Sequence, residues 1–236
     1  MEIPAVDDWP RSEDEALAVQ DALCGRVVVH DEAPAPGAPG SLVAGVDVAY
    51  DDERDLVAAA AVVLDAATLT VVDRATARGH VTFPYVPGLL AFRELPAVLE
   101  ALRGLRRAPD LVVCDGYGLA HPRRFGLAAH LGVLTGLPSL GVAKSPFVFA
   151  HGEVGQERGE TAPLLDGDEE VGRALRTRRG VKPVFVSVGH RLTLGAACSH
   201  TLRLARRYRL PETTRHADAL CRRALAAPGG LGTLTP

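Results

Sequence analysis

The sequence predicts a mixed α/β sheet: an antiparallel meander that continues into parallel strands, flanked by helices. Three strand-like runs, 44–50, 56–65 and 70–79, follow one another across short turns, the pattern of a meander. From residue 111 onward, short apolar runs alternate with helical spacing, which implies parallel pairing through a crossover helix. With 236 residues the chain can bury a sizeable core. It reads as one domain over 1–236, with 1–40 as an N-terminal helical and Pro-rich extension.

Ser12 and Glu15 form a Ser-x-x-Glu capping box, and Leu17, Val19 and Leu23 continue it with helical spacing. Residues 26–29 read as a short strand and 33–40 (APAPGAPG) as a Pro/Gly connector. The run AGVDVAY, 44–50, is a strand with one carboxylate, Asp47, among apolar neighbours. An acidic turn joins it to the apolar run 56–65, and 70–79 completes the meander. Residues 84–88 (PYVPG) form a rigid loop and 89–105 a helix bearing Glu94. A strand at 111–115 ends on Asp115, a helix spans 124–134, and a buried strand lies at 139–143. A later hairpin is expected from 171–176 and 184–188, then a helix at 194–207 and a helical tail at 216–226.

Composition is that of a soluble globular protein, with 47% hydrophobic and 23% charged residues. The longest apolar run, 56–64, is too short to span a bilayer, so no membrane association is expected. The acidic start lacks a basic-then-apolar leader. Cys24, Cys114, Cys198 and Cys221 are scattered without CxxC spacing, which argues against a structural zinc site or a disulfide framework and for a reducing, cytoplasmic setting. The net charge of -3 hides an asymmetry. Residues 1–55 carry 14 acids and 3 bases, whereas 56–236 carry 15 acids and 23 bases. Clusters such as 203–209 and 176–182 suit phosphate contacts, although each alone fits a solvated helix face equally well. Arg supplies 24 of the 26 basic residues. Lys144 and Lys182 therefore stand out as candidates for positions where a planar guanidinium will not serve.

A carboxylate inside an apolar strand is costly unless it is paired or binds metal. Alone, Asp47 fits a capping role as well as a ligand role. Asp115 lies at the carboxyl end of an expected parallel strand, where α/β sheets form sites, and Gly116 and Gly118 let a ligand approach the backbone. Glu94 is a third acid, although by itself it fits an exposed residue near a helix start. Oxygen donors of this kind suit a hard divalent cation, and metal-assisted phosphodiester cleavage uses them.

The residues carry a resemblance. AGVDVAY (44–50), PYVPGLLAFRE (84–94), the stretch 109–144 with DGYGLAHPRR, GVKPVFVSVGHR (180–191) and YRLPETTRHADA (208–219) are similar to endonuclease V, a family that nicks nucleic acid near deaminated adenine. The meander leading into a βαβ unit likewise resembles the ribonuclease H-like arrangement. The resemblance implies that Asp47, Glu94, Asp115 and Asp218 hold the metal, magnesium with manganese as a substitute. It implies that Lys144 stands near the scissile phosphate and that Tyr85 is a wedge filling the gap left by the damaged base. It places the base pocket around Gly88, Leu90, Gly116 and Gly118, with His121 close by. Tyr117 departs from the family pattern, in which His or another polar residue is common. The implied substrate is DNA containing deoxyinosine, and the enzyme is expected to be a monomer. Inosine RNA is the alternative substrate, and a non-catalytic inosine reader or a small-molecule phosphohydrolase are rival readings. Hypoxanthine carries a carbonyl where adenine has an amine, a reversal that backbone N–H and C=O groups can read. Extruding a mispaired base also costs less than extruding a paired one.

Overall fold

The structure is a computed structural model and describes Ile3 and residues 9–227; the acidic stretch at 1, 2 and 4–8 lies outside them. The meander consists of β1 (Leu42–Asp51), β2 (Leu56–Asp65) and β3 (Val71–His80), each antiparallel to the next. On its other side β1 runs parallel to β4 (Leu111–Cys114), and β4 runs parallel to β5 (Ser139–Ala143). The sheet then turns antiparallel again through β6 (Thr161–Asp166), β7 (Glu169–Leu175) and β8 (Val184–His190), with β8 next to β5. The spatial order is β3-β2-β1-β4-β5-β8-β7-β6, a ribonuclease H-like sheet with an antiparallel extension.

Helices α1 (Glu13–Cys24), α2 (Leu90–Arg103), α3 (Leu127–Thr135), α4 (Leu194–Leu204) and α5 (Glu212–Ala226) surround the sheet. α2 and α3 cover one face, and α4 and α5 the other. The position of β2 explains its unbroken apolar run. Val57, Ala59, Ala61 and Val63 pack toward α2, while Ala60, Val62 and Leu64 pack toward Ala217 and Cys221 of α5. A strand buried on both faces loses the alternation of a half-exposed one. β1 meets α5 at shorter range still: a Cβ on Gly45 would stand 2.3 Å from the Thr213 backbone carbon.

α2 contains Pro96, which cannot donate to the carbonyl four residues back. That carbonyl belongs to Phe92, and the Trp9 indole Nε1–H donates to it at 2.7 Å. The N-terminal segment thus repairs a helix it is not part of. The capping expectation for α1 holds in half: Ser12 Oγ accepts from Glu15 N–H at 3.3 Å, but the Glu15 carboxylate accepts from Arg11 N–H at 2.8 Å, one residue before the position a full capping box uses.

Four expectations change. Residues 26–29 form no strand; Val28 N–H donates to the His190 ring, and its carbonyl accepts from Arg191 N–H, so the segment hangs beside the end of β8 by single bonds. α3 starts at Leu127, because Arg124 adopts a left-handed φ of 53° that a helix cannot contain. α5 starts at Glu212, directly after Pro211. β6 was not expected, since Pro163 interrupts a short run; at a sheet edge a proline is tolerated.

Candidate active site

Two parallel strands in register bring the central acids together. β1 and β4 pair through Val46 and Cys114, so Asp47 and Asp115 each stand one residue beyond that pair. Asp47 lies on the β1 face against α5, the helix that carries Asp218. Lys144 follows the last residue of β5. Asp47, Asp115, Lys144, Thr214, Asp218 and Arg222 line one open cleft. Glu94 of α2 lies behind them, 8% exposed, and accepts from the Tyr50 hydroxyl at 3.3 Å.

The acids act on one another. Burial, followed by the charge of Asp115, pushes Asp47 up to about 7. Burial, followed by the charge of Asp47, pushes Glu94 up to about 8. Unpaired carboxylates held close in a low-dielectric site resist ionising together. Lys144 forms an ion pair with Asp115. Burial is the largest single influence and works against the lysine's charge, but the hydrogen bond to Asp115 and the charges of Asp115, Asp47 and Asp218 together outweigh it and raise its pKa. Arg222 Nε pairs with Asp218 at 2.9 Å.

Among the described residues, no three Asp, Glu, His or Cys side chains are grouped as a ready metal centre. Asp115 and Asp218 are turned to Lys144 and Arg222 instead. The donor chemistry nevertheless fits a hard cation. Every candidate ligand is a carboxylate oxygen, and the charges of Asp47 and Glu94 repel each other in a way that a cation between them would relieve.

Beside the cleft lies an apolar cavity of about 180 Å³. An apolar cavity of about 150 Å³ admits a benzene ring, so this one is of ring size. Gly88, Leu90, Gly116 and His121 line it, as do Tyr117 and Phe147. Tyr85 stands at its rim, 68% exposed on its Pro-bracketed loop. Gly88 has φ 85°, a conformation that favours glycine. Gly118 is placed differently from the other expected pocket residues. It lies outside the cavity wall and against β8, where a Cβ would fall 1.8 Å from the Val188 carbonyl oxygen. Its glycine identity is explained by that close approach. His121 is neutral: burial first, then the charge of Arg123, lowers it to about 4, against the Gly88 hydrogen bond.

Sequence reasoning attached no role to Tyr50, Phe147 or Arg222. Tyr50 was within reach, because strand alternation from Val46 and Val48 puts it on the α2 side. Phe147 stacks on Tyr117 and His121 at centroid distances of 5.9 and 6.0 Å. It comes from a loop that follows β5, and no local pattern marks it.

A family model for Endonuclease V matches residues 21–219. The chain belongs to the endonuclease V family. It is 68% identical to the Endonuclease V of Streptomyces coelicolor over 225 residues, covering 95% of both chains. The crystal structure of the Endonuclease V from Streptomyces avermitilis matches with a TM-score of 0.90 and 66% identity, covering 95% of this chain and 98% of that one. The Endonuclease V of Ciona intestinalis, solved with a 24mer DNA containing an inosine followed by a ribo-adenosine, matches with a TM-score of 0.77 and 26% identity over 90% of this chain and 97% of that one. Membership makes the chain a nuclease of the hydrolase class. Among the described residues, no helix is long and apolar enough to cross a membrane.

Proposed function

We propose that this endonuclease V family member is a divalent-metal-dependent endonuclease acting on deoxyinosine in DNA. It hydrolyses the second phosphodiester 3′ to the lesion, leaving a 3′-hydroxyl and a 5′-phosphate, and so initiates repair in the cytoplasm. One observation carries the reading: the acid cleft and the ring-sized cavity adjoin, with Asp115 lining the first and its neighbour Gly116 the second. A base held in the cavity puts its own strand across the acids.

Asp47, Asp115, Glu94 and Asp218 would hold magnesium, or manganese in its place. The cation would supply Lewis-acid activation at the phosphate and of the attacking water. Lys144, beside Asp115, offers an ammonium to the phosphate. Tyr85 fills the gap in the stack. Gly88, Leu90 and Gly116 would line the pocket around the base. The two ring nitrogens of His121 are taken by Gly88 O and Arg123 N–H, so its ring offers a surface, not a hydrogen bond. Gly118 supports this wall from behind.

A nicking assay on inosine DNA, with magnesium and with chelator, tests the proposal. Asp47→Ala and Asp115→Ala are each expected to lower nicking by about 10³-fold or more, the scale of losing metal-based charge stabilisation, while keeping lesion binding. Normal turnover in either variant, or full activity in chelator, overturns it. Inosine RNA is a second reading, favoured by the ribonucleotide in the strand bound by the Ciona protein. Matched DNA and RNA oligonucleotides separate the two.

A further inference from the structure

Gln20 has no task in the reading above. It sits on α1, one residue outside the span matched by the family model, and is 0% exposed. Its Nε2 donates to the Gly88 carbonyl at 3.0 Å and to the Phe125 carbonyl at 3.2 Å. Its Oε1 is buried with no hydrogen-bond partner among the described residues. A buried amide with an unpaired acceptor is disfavoured, and Met or Leu would fill similar space without it. The use of the amide therefore lies in its two donors.

Those donors join two walls. Gly88 ends the Pro84–Gly88 loop before α2, Phe125 belongs to the loop before α3, and both line the cavity. The Gly88 carbonyl also accepts from His121 Nε2 at 3.0 Å. Arg123 N–H donates to the other ring nitrogen, which fixes the tautomer so that Nε2 carries the proton. Two buried donors thus hold one carbonyl, at a residue whose positive φ already restricts it.

We propose that Gln20 is a positioning residue that fixes the separation of the two cavity walls and thereby sets selectivity for the extruded base. This rests on the reading that the cavity receives that base. Gln20 then belongs to the recognition apparatus, whereas the α1 residues packed on the cluster around Phe83 and Phe92 serve stability.

The test compares wild type, Gln20→Met and Gln20→Asn on an oligonucleotide with inosine, and on the same strand with adenine. Asn keeps the amide but is one methylene too short to span both carbonyls. Each variant is expected to raise KM for the inosine strand about tenfold, the order of one net hydrogen bond, with kcat within about twofold. The inosine-over-adenine ratio should narrow. Leu17→Ala serves as the control: it loosens α1 packing on the cluster of Ala16, Phe83, Leu89 and Phe92, and should lower Tm without moving KM. Unchanged KM and ratio in both Gln20 variants, or an equal KM rise in Leu17→Ala, overturns the positioning role. If wild type itself nicks inosine and adenine strands alike, the base-pocket reading fails, and the role of Gln20 falls with it.

Discussion

Tyr50 and His130 show how single buried groups set behaviour. The Tyr50 hydroxyl donates to Glu94, and Arg93 lies 4.5 Å above the Tyr50 ring. Burial and Asp47 favour protonated Glu94, while the Tyr50 hydrogen bond opposes them. Tyr50→Phe should therefore raise the Glu94 pKa further and move the acidic limb of the pH–rate profile to higher pH, with nicking near neutrality down about threefold to tenfold. An unmoved limb would separate Glu94 from the chemistry. His130 is fully buried among Trp9, Phe92 and Phe125, with no hydrogen-bond partner for either ring nitrogen among the described residues. Burial lowers it to about 3 from an ordinary 6.5. The unfolded chain then binds a proton below about pH 6.5 that the folded chain refuses. Stability from this residue is complete above that pH and is lost as pH falls toward 3. His130→Phe should flatten the fall in Tm between pH 7 and pH 5, as read by thermal scans. Asp115 was legible because it closes an apolar strand run, and Asp47 because it is the one carboxylate inside another; that they meet was not, because the parallel pairing of β1 with β4 leaves no local mark. Gln20 was not legible either, because its partners are carbonyls 68 and 105 residues away.

α5 is seated on β1 through the bare hydrogen of Gly45. Gly45→Ala would drive a methyl into the Thr213 backbone and push the helix outward. The expected cost is about 1–3 kcal/mol, typical of overpacking. The same shift moves Asp218 away from Asp47, so nicking should fall more than Tm alone accounts for. Circular dichroism melts and nicking on one preparation check this together. The meander and the βαβ crossover were readable because local alternation and apolar length coincide with final burial, as in β2. The third hairpin was read only in part. β6 contributes one inward-facing pair, Ala162 and Leu164, around Pro163, too little for a periodic signal. Residues 26–29 misled in the other direction, since strand-forming valines there find only the end of a ladder.

At the scale of the molecule, the sheet has two ends, and both are closed. β3 turns Asp73 inward, 5% exposed, where it accepts from Arg106 and Arg107 N–H at 2.6 and 2.9 Å. These and the other backbone hydrogen bonds outweigh burial and lower its pKa. At the far end, β6 has Pro163, with no N–H to give, and His151 bridges Leu164 from outside. Inward charge, proline and a covering segment are devices by which sheets refuse further strands. An eight-stranded sheet whose second strand from one edge, β2, is a continuous apolar run would otherwise template its own aggregation. The protein should stay monodisperse in light scattering as concentration is raised into the hundred-micromolar range, roughly where unprotected edges associate. Asp73→Val should shift it toward aggregates before any change in nicking. A surface made to engage one long polymer is thereby kept from polymerising with itself.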